Sequence, residues 1–219
     1  MSTPETGGPE ERRLIALPRL VVMTNVTGAG RDVLLRRLGA CCAKSTPGTV
    51  LVVLRDPELS IRERLSLGRE LRRMTRDTGQ RLSVRDRLDL AELLEADGVH
   101  LAESSIEGGE IRRRVPKPWL LSRAWHSLKD APPTDVDIVL LSPVCAPRKT
   151  RSAIGLAGLG RFAALHPDAR LCALGGVNAL NAASCLSHGA AAVAVMGAVL
   201  DVEDCSTLLE ALEILRRSS

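Results

Sequence analysis

Residues 171–200, LCALGGVNALNAASCLSHGAAAVAVMGAVL, constrain the fold more than any other part of the chain. The stretch opens with an apolar run over 171–174 and breaks on Gly175-Gly176. Asn178 is placed to cap a helix whose core face is Ala179, Ala182, Ala183 and Leu186, at the i, i+3, i+4, i+7 spacing of one helical stripe. Gly189 stands where a left-handed residue ends such a helix. Residues 190–196 are then apolar at every position, as in a strand buried on both faces of a parallel sheet. The order strand, glycine turn, helix, glycine, buried strand is a βαβ unit. Glycines at the carboxyl end of a strand let backbone N–H groups approach an anion closely. A second break, Met196-Gly197, follows the next strand, so Gly175, Gly176 and Gly197 are expected to hold a phosphate.

The same alternation runs through the rest of the chain. Strands are expected at 20–23, 49–54, 82–85, 98–101, 119–122 and 136–141. Helices are expected over 31–43, 87–95, 108–115, 159–165 and 208–216, with a longer one to about Thr78 that starts from a Ser60–Glu63 capping box. Between the fifth and sixth strands there is room only for a helical turn at 126–129, which Pro132-Pro133 then stops. Residues 142–158, carrying Pro143, Pro147, Arg148, Lys149 and Arg151, are expected to form a mobile lid. Eight strands alternating with eight helical segments predict a single closed (β/α)8 barrel over 16–219, behind a polar, disordered tail at 1–15. In such barrels a phosphate commonly sits after strands seven and eight.

Composition narrows the function. Trp119, Trp125 and Phe162 are the whole aromatic set, so the core must be aliphatic. With no aromatics among the basic residues there is no stacking platform for nucleic acid, and a net charge of +4 reads as solvated helix faces. Six cysteines show no CxxC spacing. No apolar leader core opens the chain and no run approaches a membrane span, so a cytoplasmic protein with no membrane partner is expected. The oligomeric state is left open.

Several motifs line up in order: VVLRDP at 52–57, VRDRLDLAELLEADGVHL at 84–101, HSLKDA at 126–131, LSPV at 141–144, ALGGVNALNA at 173–182 and GAAAVAVMGAV at 189–199. Together they resemble the thiamin phosphate synthase family and its sister group, the TenI-like thiazole tautomerases. The resemblance implies a TIM barrel of the thiamin phosphate synthase type and a role in thiamin biosynthesis. Its substrates would be a phosphorylated thiazole and, for a synthase, a pyrimidine diphosphate.

The resemblance also assigns residues. Arg55, Arg85 and Lys149 would contact substrate or diphosphate, Asp86 would be a metal ligand, and His126 would be the acid–base group. The family's strand-two motif Gln-x-Arg-x-Lys appears here with Val53, Arg55 and Pro57; its strand-three Asn-Asp appears as Arg85-Asp86. The second metal carboxylate falls near Ser105, with Glu103 two positions away. His126 and Ser127 match a Ser-x-His-Ser motif whose first Ser is Ala124 here. These changes favour a tautomerase-like or divergent enzyme that requires no cofactor. The alternatives are a true magnesium-dependent synthase and a barrel that binds a phosphorylated ligand without turning it over.

Overall fold

A computed structural model describes residues 17–114, 119–148 and 150–216; the expected tail at 1–15, the helix end at Val115 and Lys149 lie outside the described residues. In order the elements are β1 (Leu20–Met23), α1 (Val26–Ala29), α2 (Arg31–Lys44), β2 (Val50–Leu54), α3 (Ile61–Asp77) and β3 (Arg81–Arg85). There follow α4 (Leu88–Leu93), β4 (Gly98–Leu101), α5 (Gly108–Arg114), β5 (Leu120–Trp125) and β6 (Ile138–Leu141). The chain continues through α6 (Gly155–Leu165), β7 (Leu171–Leu174), α7 (Ala182–Ser187), β8 (Ala192–Val195), α8 (Gly197–Leu200) and α9 (Ser206–Ala211).

All eight strands among the described residues are parallel, and they close in sequence order, β8 pairing back onto β1. Alternation along each strand separates two cores. Val21, Leu51, Leu120, Leu140, Cys172 and Ala194 belong to the cluster that fills the barrel. Val22, Val52, Val84, Val99, Leu141 and Val193 belong to the larger cluster between barrel and helices. A strand buried on both faces must read as an unbroken apolar run, which is why these strands are legible in the sequence.

At the floor of the barrel two aspartates staple strands to helices. Asp97 accepts Leu82 N–H at 2.8 Å and an Arg72 nitrogen at 2.7 Å. Asp137 accepts Leu121 N–H at 2.8 Å and an Arg112 nitrogen at 2.7 Å.

Four expectations are corrected. Residues 126–137 are all described and contain no helix, so the fifth of the eight expected helical segments, between β5 and β6, is absent. There Ser127 Oγ accepts from the N–H groups of Lys129 and Asp130 in a side-chain turn, which competes with a helical start. A cavity of about 390 Å³, lined by Pro132, Pro133, Leu165 and Pro167 among others, opens beside β6. Helix α7 starts at Ala182, not behind Asn178: Asn178 accepts from Leu180 N–H and Asn181 from Asn178 N–H, closing a local turn first. Its buried residues are Ala182 and Cys185, whereas Ala183 is exposed. Strand β5 runs three residues beyond Ser122, and α6 begins at Gly155, so the expected lid is shorter.

The Asp137 staple gives a stability test. Asp137→Ala would leave a buried strand N–H and the Arg112 guanidinium without their acceptor, an expected loss of about 3 kcal/mol. Denaturant unfolding at unchanged slope would register it; a midpoint equal to that of the parent would show that the staple contributes nothing.

Candidate active site

The carboxyl ends of the strands form the mouth of the barrel, and register decides which side chains meet there. Leu54 pairs with Val84, so Arg55, the next residue, lies beside Arg85. Arg85 pairs with His100, and His100 with Ser122. Arg55, Arg85, His100 and Ser122 therefore make one polar row across β2 to β5.

His100 is buried, with Nδ1 and Ser122 Oγ sharing a hydrogen bond of 3.0 Å. Burial first, then the charge of Arg85, holds its pKa down to about 4, so the ring is neutral at physiological pH. The Arg55 guanidinium is also pushed below its ordinary value, by partial burial and then by the charges of Arg85 and Arg148; Glu58 and Asp56 offset part of this.

Asp86 is not arranged as a metal ligand. One carboxylate oxygen accepts Ala102 N–H at 2.9 Å and the Ser105 hydroxyl. The other accepts Arg85 Nε at 3.2 Å. Ser105 thus does stand beside Asp86, where a second carboxylate was expected from the resemblance, and it donates a hydrogen bond to that acid. Asp86 also holds a positive φ of 53°, with its own N–H bonded to His100 O at 3.0 Å. Among the described residues no group of three or more His, Cys, Asp or Glu is placed to hold a metal ion. Magnesium needs free carboxylate oxygens in near-octahedral array. These residues do not fit it.

His126 follows β5 and is tied twice to Glu103, its N–H to Oε1 at 3.0 Å and its Nδ1 to Oε2 at 2.9 Å. A carboxylate can only accept, so Nδ1 donates to Glu103, and Nε2 makes no hydrogen bond among the described residues. Arg123, only 3% exposed, clamps the loop that carries Glu103 and Ser105. Its guanidinium donates to Glu103 O at 3.4 Å, Ser105 O at 3.1 Å and Ile106 O. Trp125 packs into the outer cluster between barrel and helices, so it does not fill the mouth.

Across the mouth, Gly175 and Gly176 have φ of +101° and +70°. A Cβ on Gly176 would lie 2.7 Å from Ala146 N, so only glycine lets the β6–α6 loop close over this turn. The N–H groups of Gly175, Gly176, Gly197 and Ala198 have no hydrogen-bond acceptor among the described residues. The Asp201 carboxylate lies beside Gly197, within 2.4 Å of where a Cβ would stand. The start of the expected lid is pinned here, with Cys145 and Ala146 N–H both bonded to Gly175 O, at 2.8 and 3.2 Å. Cys145 Sγ lies 3.6 Å from Cys185 Sγ, with no histidine to activate it.

The structure thus brings Arg55, Arg85, Asp86 and His126 to one mouth with the two glycine turns; Lys149 lies outside the described residues. Sequence reasoning missed Glu103 as the partner of His126, and Arg123 altogether. Neither leaves a local signal, because the contacts of each cross from β4 to β5 over some twenty positions.

Cations on one side of the mouth and free glycine amides on the other define the class by fold and charge: a (β/α)8 barrel whose mouth carries the features of an anion site. Comparison with known proteins makes the assignment specific. The profile of the family described as thiamine monophosphate synthase matches residues 21–199. The chain is 31% identical over 207 residues to a thiamine-phosphate synthase from Moorella thermoacetica, covering 90% of this chain and 95% of that one. It is 36% identical over 171 residues to a thiamine-phosphate synthase from Methanoculleus marisnigri, covering 75% and 81%. Its fold matches a thiamine phosphate pyrophosphorylase from Pyrococcus furiosus with a TM-score of 0.72 at 24% identity, over 93% of this chain and 98% of that one. The chain belongs to the thiamine monophosphate synthase family.

His100 predicts a pH effect. Its folded pKa lies below the ordinary value of about 6.5, so between the two the unfolded chain binds the extra proton and stability falls as pH falls. At about 1.4 kcal/mol per pH unit, stability should drop by about 2 kcal/mol between pH 6.5 and 5. His100→Asn should remove that share of the slope, and an identical slope in the variant would refute the assignment.

Proposed function

We propose that this chain joins a pyrimidine diphosphate to a thiazole phosphate. The observation that supports this is a pair of partly buried arginines on one side of the mouth and two glycine turns with unbonded amides on the other, which we read as two separate anion seats. The glycine turns after β7 and β8 suit a monophosphate. The arginines at the ends of β2 and β3, with Arg148 on the β6–α6 loop, suit a diphosphate. A tautomerase acting on one phosphorylated thiazole needs only the first seat. The names carried by the relatives at 31% and 36% identity support the same reading.

In this reaction the bond from the pyrimidine methylene carbon to the diphosphate oxygen breaks, and the electron pair leaves with the diphosphate. The thiazole nitrogen then supplies the pair for the new carbon–nitrogen bond. Cations positioned where the leaving charge grows stabilise the transition state more than the ground state. The glycine seat fixes the thiazole so that its nitrogen faces the methylene carbon.

A second reading is a thiazole tautomerase, and the Glu103–His126 pair favours it. With Nδ1 held by Glu103, Nε2 of His126 is free to move one proton between a ring carbon and an exocyclic carbon. Sequence positions alone lean towards this branch; the arginine cluster and the relatives turn the balance to coupling.

One experiment separates the two. Purified protein is given pyrimidine diphosphate with thiazole phosphate in one arm, and the carboxythiazole phosphate tautomer alone in the other. Thiamin phosphate in the first arm is the expected outcome; tautomer turnover without coupling would replace the first reading by the second. Gly176→Asp should abolish thiazole phosphate binding by adding bulk and like charge, and unchanged calorimetric affinity in the folded variant would remove the glycine seat.

His126→Asn distinguishes its two roles. If the tautomerase branch holds, turnover falls by about 10²–10⁴ with thiazole affinity nearly unchanged. No proton exchange at the thiazole carbon by NMR in heavy water, with the parent protein still binding the ligand, would end the acid–base assignment.

A further inference from the structure

Of the arginines at the mouth, Arg151 lies 3.9 Å from Glu103 Oε2, while two others have no partner of their own. Arg55 and Arg148 make no side-chain hydrogen bond or ion pair among the described residues, and Arg85 uses only Nε, on Asp86. The two terminal nitrogens of Arg85 are left over. Arg55 and Arg85 lie side by side by strand register and are both partly buried. Like charges gathered in a partly dry mouth repel, and a fold keeps them at a cost unless an anion offsets them. The nearby acids offset them only in part: the charge of Glu58 acts on Arg55 from the loop after β2, while its Oε1 accepts from the Thr27 hydroxyl at 3.0 Å. Asp56 is 1% exposed and its two oxygens accept from the Thr24 hydroxyl and Val26 N–H. Asp86 is occupied by Ser105, Ala102 and Arg85, and Glu103 by His126, with Arg151 3.9 Å from its Oε2.

We infer that Arg55 and Arg85 form a diphosphate seat that works by guanidinium groups in place of a divalent cation. The inference rests on the two-seat account of the mouth and specifies how its second seat is built. The exchange is chemically coherent. A guanidinium presents paired N–H donors that match two oxygens of a phosphate, and it carries its charge without needing carboxylates to hold it. In the same step the Ser105 hydroxyl and Arg85 Nε take the lone pairs that Asp86 would have given a metal. An arginine at position 85 and a serine at position 105 are thus one coordinated change: the first brings the charge, and the second seals the acid.

The test is calorimetric binding of inorganic pyrophosphate, with EDTA and with magnesium, and with inorganic phosphate as the comparison ligand. The expected result is binding in EDTA that magnesium leaves unchanged or weakens, because the metal competes for the same oxygens. Arg85→Asn should weaken metal-free pyrophosphate binding tenfold or more. It should leave phosphate affinity at the glycine seat within twofold, which also shows that the variant is folded. Arg85→Asn combined with Ser105→Asp should bring back a requirement for magnesium. Pyrophosphate binding by the parent only with magnesium would overturn the inference and leave the coupling reaction standing. Metal-free binding that is indifferent to Arg85→Asn would likewise overturn it. No pyrophosphate binding under any condition would overturn both.

Discussion

Closure of the hydrogen-bonded ring is the constraint on which the rest depends. Every strand is paired on both edges, so none can slip without breaking two ladders at once. A slip of one residue would turn Arg85 and His100 out into the aliphatic layer and bring Val84 and Val99 into the mouth. The polar row from Arg55 to Ser122 therefore needs little dedicated packing of its own. It inherits its geometry from a ring that can close in only one register, and each side chain is aimed by the pleat of its strand.

Within that frame the acids and bases of the mouth are divided unequally. Asp56, Asp86 and Glu103 are each spent on internal contacts that shape a loop or orient a neighbour. Of the cations there, Arg55 and Arg148 make no side-chain bond among the described residues, and Arg85 gives only its Nε, to Asp86. The mouth is thus polarised: one wall is rich in partly compensated positive charge, the opposite wall in free amides with the Asp201 carboxylate beside them, and a carboxylate–imidazole pair stands between β4 and β5. Under the proposed coupling, a diphosphate on one ligand would face the first wall and a monophosphate on the other ligand the second.

Much of this was legible in the sequence, for a physical reason. Parallel strands covered on both faces read as apolar runs, and glycines with positive φ mark the turns between them, so the barrel and the glycine turns at its mouth could be read directly. The sequence failed where polar side chains do structural work. Arg123 breaks the apolar run of β5, so the strand looked finished at Ser122, although the arginine is buried and bonded to three carbonyls. Asn178 has the chemistry of a helix cap and spends it on a local turn instead. Glu103 looked like a displaced metal ligand because its partner, His126, becomes a neighbour only once β4 and β5 are in register.

The missing helix after β5 has a consequence for how the ring comes apart. Strands β2 and β3 lie beneath the seventeen-residue α3, whereas the outer face of β6 is screened by a proline-bearing loop and the open cavity beside it. Local opening follows the thinnest cover. Amide protons of β6 should therefore trade with solvent through a small excursion of that wall, while those of β2 wait for the whole domain to unfold. The barrel is continuous in its hydrogen bonds but not in its armour, and the seam lies directly behind the strand that leads into the loop bearing Arg148.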